Sequence, residues 1–150
     1  MTLSVLSPVS GTLVKIEDVP DPVFSGKFVG PGAAVDPARD GEVIATAPIG
    51  GKISKLFPHA FIVDSGQGQH VLVHLGLDTV QLDGEGFTLL ANEGEQVQVG
   101  APITKWDPSW VAAGGRNPLV MVVALEGQET DLVLSTDAKA KAGDCLFTWN

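Results

Sequence analysis

Short runs rich in Val, Ile, Leu and Thr follow one another along the chain, several of them alternating apolar with polar residues. Turn residues separate them: Val19-Pro20-Asp21-Pro22, Gly30-Pro31-Gly32, Asp40-Gly41, Gly50-Gly51, Ser65 to Gly68, Asp83-Gly84, Glu93-Gly94, Gly114-Gly115 and Glu126-Gly127. Frequent glycine and proline break helices and favour many short strands, which predicts an all-β sandwich or partly closed barrel. One brief helix is legible. Asp107 is its cap, Pro108 its first residue and Gly114-Gly115 its stop.

Two echoes run through this pattern. Pro8-Val9-Ser10-Gly11, entering a strand that reaches Lys15, matches Pro48-Ile49-Gly50-Gly51 forty residues later. Gly100-Ala101-Pro102-Ile103-Thr104-Lys105-Trp106 matches Gly143-Asp144-Cys145-Leu146-Phe147-Thr148-Trp149. Such echoes either mark an internally duplicated β architecture or recur by chance in a glycine-rich β protein.

Composition narrows the picture. A chain of 150 residues with 44% hydrophobic content can fill one core, so a single domain over 1–150 is expected. The formal charge of −9 and the absence of any basic run exclude a nucleic-acid binder and disfavour an anionic membrane surface. Such charge steers cationic partners toward the protein. Cys145 is the lone cysteine, which excludes an intramolecular disulfide and a CxxC motif; its apolar neighbours Leu146 and Phe147 predict a small core residue. The N-terminus shows no signal peptide, and the longest apolar run, Leu119 to Leu125, is far below the ~20 residues of a spanning helix. A cytoplasmic location is expected.

The candidate chemistry lies in Phe57 to Leu82, which holds all three histidines; no Lys or Arg occurs between Lys55 and Lys105. A site built there works with imidazole, carboxylate and backbone groups alone. His70 closes the polar loop Asp64 to Gln69 and reads as solvated. His70 and His74 flank a strand-like run, where residues four apart stand ~13 Å from each other and share no metal ion. His74, inside an apolar run with Gly76 and Asp78 beyond it, is either a satisfied core histidine or a working imidazole. His59 sits in a second apolar frame. Brought together, two imidazoles without cations suit brief storage of a phosphoryl group on nitrogen, one as nucleophile and the other as hydrogen-bond donor. Lysine and arginine clamps would hold the anion too firmly for relay. No P-loop, HExxH or GxSxG motif is present.

His59-Ala60-Phe61, followed fifteen residues after His59 by Val73-His74-Leu75-Gly76-Leu77-Asp78-Thr79-Val80 and then by Gly84-Glu85-Gly86-Phe87, resembles the glucose-class enzyme IIA of the bacterial sugar phosphotransferase system. Glu17 to Phe24 and Glu93 to Gly100 extend the likeness, and the segments VPDPVFSG and FPHAF are most similar to the actinobacterial branch. The resemblance implies a duplicated β-sandwich and a phosphoryl carrier. His74 would accept phosphate from the phosphorylated histidine carrier protein HPr and pass it to a cysteine of a sugar-specific IIB domain of the IIB/IIC permease. His59 would steady the group, and the Gly76 carbonyl would hold the other ring nitrogen of His74. Val23, Phe24, Val29, Leu72 and Val80 would form an apolar docking ring, with Asp21 and Asp78 meeting a partner's cation.

The family's threonine near the first histidine is missing here, so a backbone carbonyl or water is expected to orient His59. No resident cofactor is expected. In some members the two histidines also take up zinc with a regulatory partner. A rival reading is a regulatory binding protein whose phosphorylation state controls transporters or metabolic enzymes. Another, a zinc hydrolase, lacks the third ligand such chemistry needs.

Overall fold

The β-branched runs form strands wherever glycine and proline let the chain reverse. In the computed structural model residues 2–150 are described; Met1, where the expected domain begins, lies outside them. In chain order the elements are β1 (Leu3–Leu6), β2 (Gly11–Lys15), α1 (Pro22–Ser25), β3 (Gly32–Pro37), β4 (Val43–Thr46), β5 (Gly51–Phe57), β6 (Ala60–Asp64) and β7 (His70–Leu75). They continue as β8 (Phe87–Leu89), β9 (Gln96–Val97), β10 (Pro102–Trp106), α2 (Pro108–Ala113), β11 (Val120–Ala124), β12 (Leu132–Leu134), β13 (Lys139–Ala140) and β14 (Cys145–Trp149). One eight-stranded sheet runs β13-β2-β3-β11-β7-β6-β5-β9; two three-stranded sheets run β1-β14-β12 and β4-β10-β8. Among the described residues no sheet closes into a barrel, and the layered sheets form the expected sandwich.

The duplication is real, and its register repeats residue for residue. β1 pairs with β14 as Leu3↔Trp149 through Leu6↔Cys145, with a slip after Val5. β4 pairs with β10 as Val43↔Trp106 through Thr46↔Pro102, with the same slip. The two proline turns clasp reciprocally: Leu6 N–H donates to Pro48 O at 2.9 Å, and Thr46 N–H donates to Pro8 O at 3.1 Å. Gly11 and Gly51 serve the same end. A Cβ on either would stand about 2 Å from a carbonyl of the neighbouring strand, Asp36 O or Asp64 O, so only glycine lets the strands meet.

One face of the large sheet (Val35, Val63, Val71, Val73, Leu75, Val120 and Val122) packs on Val5, Ala45, Ile103, Trp106, Leu146 and Phe147 of the small sheets. Phe61 is fully buried there, and its truncation to Ala is expected to cost about 3–5 kcal/mol. The other face is covered in one place by the β2–β3 excursion, which carries Ile16, Val19 and Phe24 down onto Ala34, Met121 and Val123. β11 is therefore buried on both faces, the physical reason Leu119 to Leu125 reads as an unbroken apolar run.

Three expectations change. Cys145 is exposed, because the slip between Val5 and Leu6 turns it outward while Leu146 and Phe147 fill the core. His70 is the first residue of β7 rather than a loop residue, with Nε2 3.4 Å from Asp64 Oδ2 on the paired strand. A second helix, α1, repeats the Asp-Pro start of α2. Asp21 accepts from Val23 N–H at 3.0 Å as Asp107 does from Ser109 N–H at 2.9 Å. Its four residues are too few to show a helical period, so the sequence reads them as a turn.

Candidate functional site

His74 stands on the face of β7 that the excursion covers, paired with Met121 on β11 and Ala60 on β6. His59 occupies the tight turn between β5 and β6, and its carbonyl accepts from Leu75 N–H at 2.7 Å. That hydrogen bond ties the turn to the end of β7 and sets the two rings side by side. Their centroids lie 5.1 Å apart at 75°. Phe24 closes the other side of His74 edge-on at 5.3 Å, and Phe57 lies 6.1 Å from His59. The His59 ring makes no hydrogen bond to the described residues. Of the two groups expected to orient it, a backbone carbonyl does not; the Phe57 and His74 rings stand beside it.

The run after His74 fixes the ring's chemistry. Gly76 has φ +84°, and its carbonyl turns back to accept from His74 Nδ1–H at 2.7 Å. With the proton on Nδ1, the Nε2 lone pair is the free nucleophile. Asp78 is also left-handed, at φ 60°, which short polar side chains tolerate. The buried Thr79 hydroxyl donates to Leu75 O at 2.7 Å and locks the turn from below. The α2–β11 loop locks it from the side, through Gly76 N–H to Leu119 O and Leu77 N–H to Asn117 O, both 2.8 Å. Thr79 and Asn117 were missed as positioning residues. For Thr79 the Ser/Thr bond to a carbonyl four residues back was the available signal; for Asn117 there was none.

Burial lowers the His74 pKa below the usual histidine value. The Gly76 carbonyl opposes that, the His59 ring adds to it, and Asp21 and Asp78 oppose it more weakly. Burial lowers His59 as well. Both imidazoles are thus held neutral at neutral pH, the form that attacks and accepts.

Around the pair lies a shallow apolar rim. Val23 and Val80 are exposed, Val29 and Leu72 half-buried, and Asp21 and Asp78 flank them. Phe24, expected in the docking ring, is only 6% exposed and serves as a wall for His74. Phe28, unnoticed in the sequence, is 79% exposed just beyond α1. The cation-free stretch does not make a cation-free surroundings: Arg116 Nη2 donates to Gln81 Oε1 at 3.3 Å and lines a cavity of about 440 Å³ with Asp78. Among the described residues no group of three or more His, Cys, Asp or Glu side chains is placed to hold a metal ion. Two imidazoles supply half of a tetrahedral zinc shell, so a shared zinc would draw its other ligands from a partner. Among the described residues no helix is long and apolar enough to cross a membrane.

Paired neutral imidazoles on a duplicated β-sandwich suit a carrier protein that holds a group on nitrogen, and the comparisons with known proteins give the family. Residues 3–130 match the family described as phosphoenolpyruvate-dependent sugar phosphotransferase system, EIIA 1. A PTS system glucose-specific EIIA component of Staphylococcus epidermidis is 36% identical over 140 residues, covering 92% of this chain and 82% of that protein. Its Staphylococcus aureus counterpart (strain COL) is 39% identical over 123 residues, or 81% and 72% of the two chains. The structure of the glucose permease IIA from Mycoplasma capricolum superposes with a TM-score of 0.85 at 30% identity, covering 99% of this chain and 96% of that one. The chain belongs to the EIIA 1 family. It is a phosphotransferase component, a phosphoryl carrier of the sugar phosphotransferase system that works with HPr and the IIB/IIC components. The rival reading as mainly a regulator is not favoured.

Proposed function

We propose that His74 Nε2 is the atom that carries the phosphoryl group and that the sugar pathway served is of the glucose class. Nε2 attacks the phosphorus of phospho-HPr; the new N–P bond forms as the donor's N–P bond breaks. The proton stays on Nδ1, hydrogen-bonded to the Gly76 carbonyl throughout, so no proton has to move. In the second step a IIB cysteine thiolate attacks, the S–P bond forms, and the pair of electrons returns to Nε2. His59 donates a hydrogen bond to the transferring oxygens in both directions, in a site where partly buried donors act more strongly than in water. The apolar rim excludes water from the N–P bond when a partner docks, while Asp21 and Asp78 face the partner's cations.

The observation that carries this reading is the 2.7 Å bond from Nδ1 to Gly76 O, which leaves Nε2 free beside a second imidazole. The test is labelling by phospho-HPr. His74→Gln is expected to take up no acid-labile phosphate. His59→Gln is expected to be labelled at His74 yet to stall in transfer to IIB. Label found on any other residue would sink the assignment.

A further inference from the structure

A protein carrying nine fewer positive than negative charges gathers three of its nine Lys and Arg around one cavity, far from the histidines. Arg39, Lys139 and Lys141 line a space of about 690 Å³ together with the hydroxyl-bearing Ser10 and Thr12. The size falls within the ~300–1,000 Å³ of small-molecule sites. Two carboxylates, Asp36 and Asp144, also line it, so the three cations leave the lining one positive charge in excess. Asp36 Oδ1 accepts from Arg39 Nη1 at 2.7 Å, and Asp144 Oδ2 accepts from the Lys141 backbone N–H at 2.8 Å. Among the described residues neither Lys139 nor Lys141 has a carboxylate within 4.0 Å of its ammonium group. Lys139 on β13 and Lys141 just past its end are both exposed, while Ala140 between them is buried. Ser10 Oγ accepts from Ala142 N–H at 2.9 Å and keeps its own proton to donate.

The internal duplication supplies a control. The register that pairs Lys139 with Thr12 and Ala140 with Gly11 recurs as Gln96 with Lys52 and Val97 with Gly51. Lys139 and Lys141 thus correspond to Gln96 and Gln98. Asp36, opposite Thr12, corresponds to Asp64, opposite Lys52, which matches Arg39 to Gln67. The twin carries neutral amides at all three positions and one cation, Lys52, in place of Thr12. The frame therefore forms without charge at these places, and packing does not account for the cations.

We propose that this cavity is a binding site for a small phosphate-bearing anion, either free phosphate or a phosphate ester. Arg39, fixed by Asp36 and the Pro37 carbonyl, offers its remaining N–H groups in a rigid fork. The ammonium groups of Lys139 and Lys141 close on the anion, and the hydroxyls of Ser10 and Thr12 donate to it. Four strand steps separate β13 from β7, roughly 19 Å at ~4.8 Å each, so the anion here never touches His74. The proposal is independent of the role given to that residue.

The experiment is an amide-shift NMR titration of the full-length unphosphorylated protein, once with inorganic phosphate and once with a hexose 6-phosphate. Sodium chloride at matched ionic strength is the blank. Saturable shifts at Ser10, Gly11, Ala38 and Ala140 to Ala142 are expected. Tighter binding of the ester identifies a metabolite, and equal binding identifies free phosphate. Lys139→Gln/Lys141→Gln, which installs the twin's own residues, is expected to weaken binding at least about tenfold. It should leave the melting temperature and His74 labelling unchanged. Shifts that do not saturate, that chloride reproduces, that centre on His74, or that persist in the double variant overturn the proposal. So does saturable binding of an acidic peptide alone.

Discussion

Gly76→Ala isolates the device that fixes the acceptor. At φ +84° an L-residue pays roughly 1–2 kcal/mol. The added Cβ would also stand 2.6 Å from Thr79 Cγ2 and 3.2 Å from Asn117 O. Carbon atoms rest about 3.5–4.0 Å apart, so the backbone or Thr79 must yield by about 1 Å. A shift of that size in the peptide lengthens the 2.7 Å bond from His74 Nδ1 past hydrogen-bonding range. Together these predict a loss of about 2–3 kcal/mol, a fall in melting temperature of about 4–12 °C for a chain of this length. Nδ1 also loses its fixed proton, so part of the population carries the proton on Nε2 and cannot attack. Calorimetry gives the first quantity, and imidazole nitrogen shifts with the rate of phosphoryl uptake give the second. Thr79→Ser removes the clashing methyl and keeps the hydroxyl, so the double variant should recover the steric part of the loss and retain the backbone part. A Gly76→Ala protein that melts like the parent, with an undisturbed tautomer, would refute the reasoning. So would a double variant no better than the single one.

Further outcomes follow from the same geometry. Because burial lowers both His74 and His59, the unfolded chain binds more protons than the folded one just below about pH 6.5. The stability contributed by the neutral rings is present above that value and is lost as pH falls through the lowered folded values. Urea unfolding should show this slope, and His74→Gln/His59→Gln should flatten it. Phosphoryl acceptance should hold its rate to a lower pH than an ordinary imidazole allows. Phe28→Ser, at a side chain 79% exposed beside α1, should weaken docking of HPr by about tenfold without changing the melting temperature. Unchanged affinity would exclude Phe28 from the rim.

Local grammar gave the sequence its reach. Dense turn residues and β-branched runs determined an all-β chain and Asp107-Pro108 one helix, while the proline-glycine echoes left the duplication open until the strand register repeated it. The segment from His74 to Val80 carried its family resemblance in adjacent residues, and that resemblance implied the Gly76 carbonyl as the partner of His74, where the bond is found. What depended on distant chain segments was not. Cys145 faces solvent because of a slip opposite Val5, which no inspection of its neighbours reveals. Phe24 is a wall and not a rim because its helix folds down onto β11. Arg116 reaches the edge of a stretch without cations from 35 residues beyond Gln81. A sequence states which atoms are adjacent along the chain, whereas burial, ring proximity and charge neighbourhoods depend on packing across it.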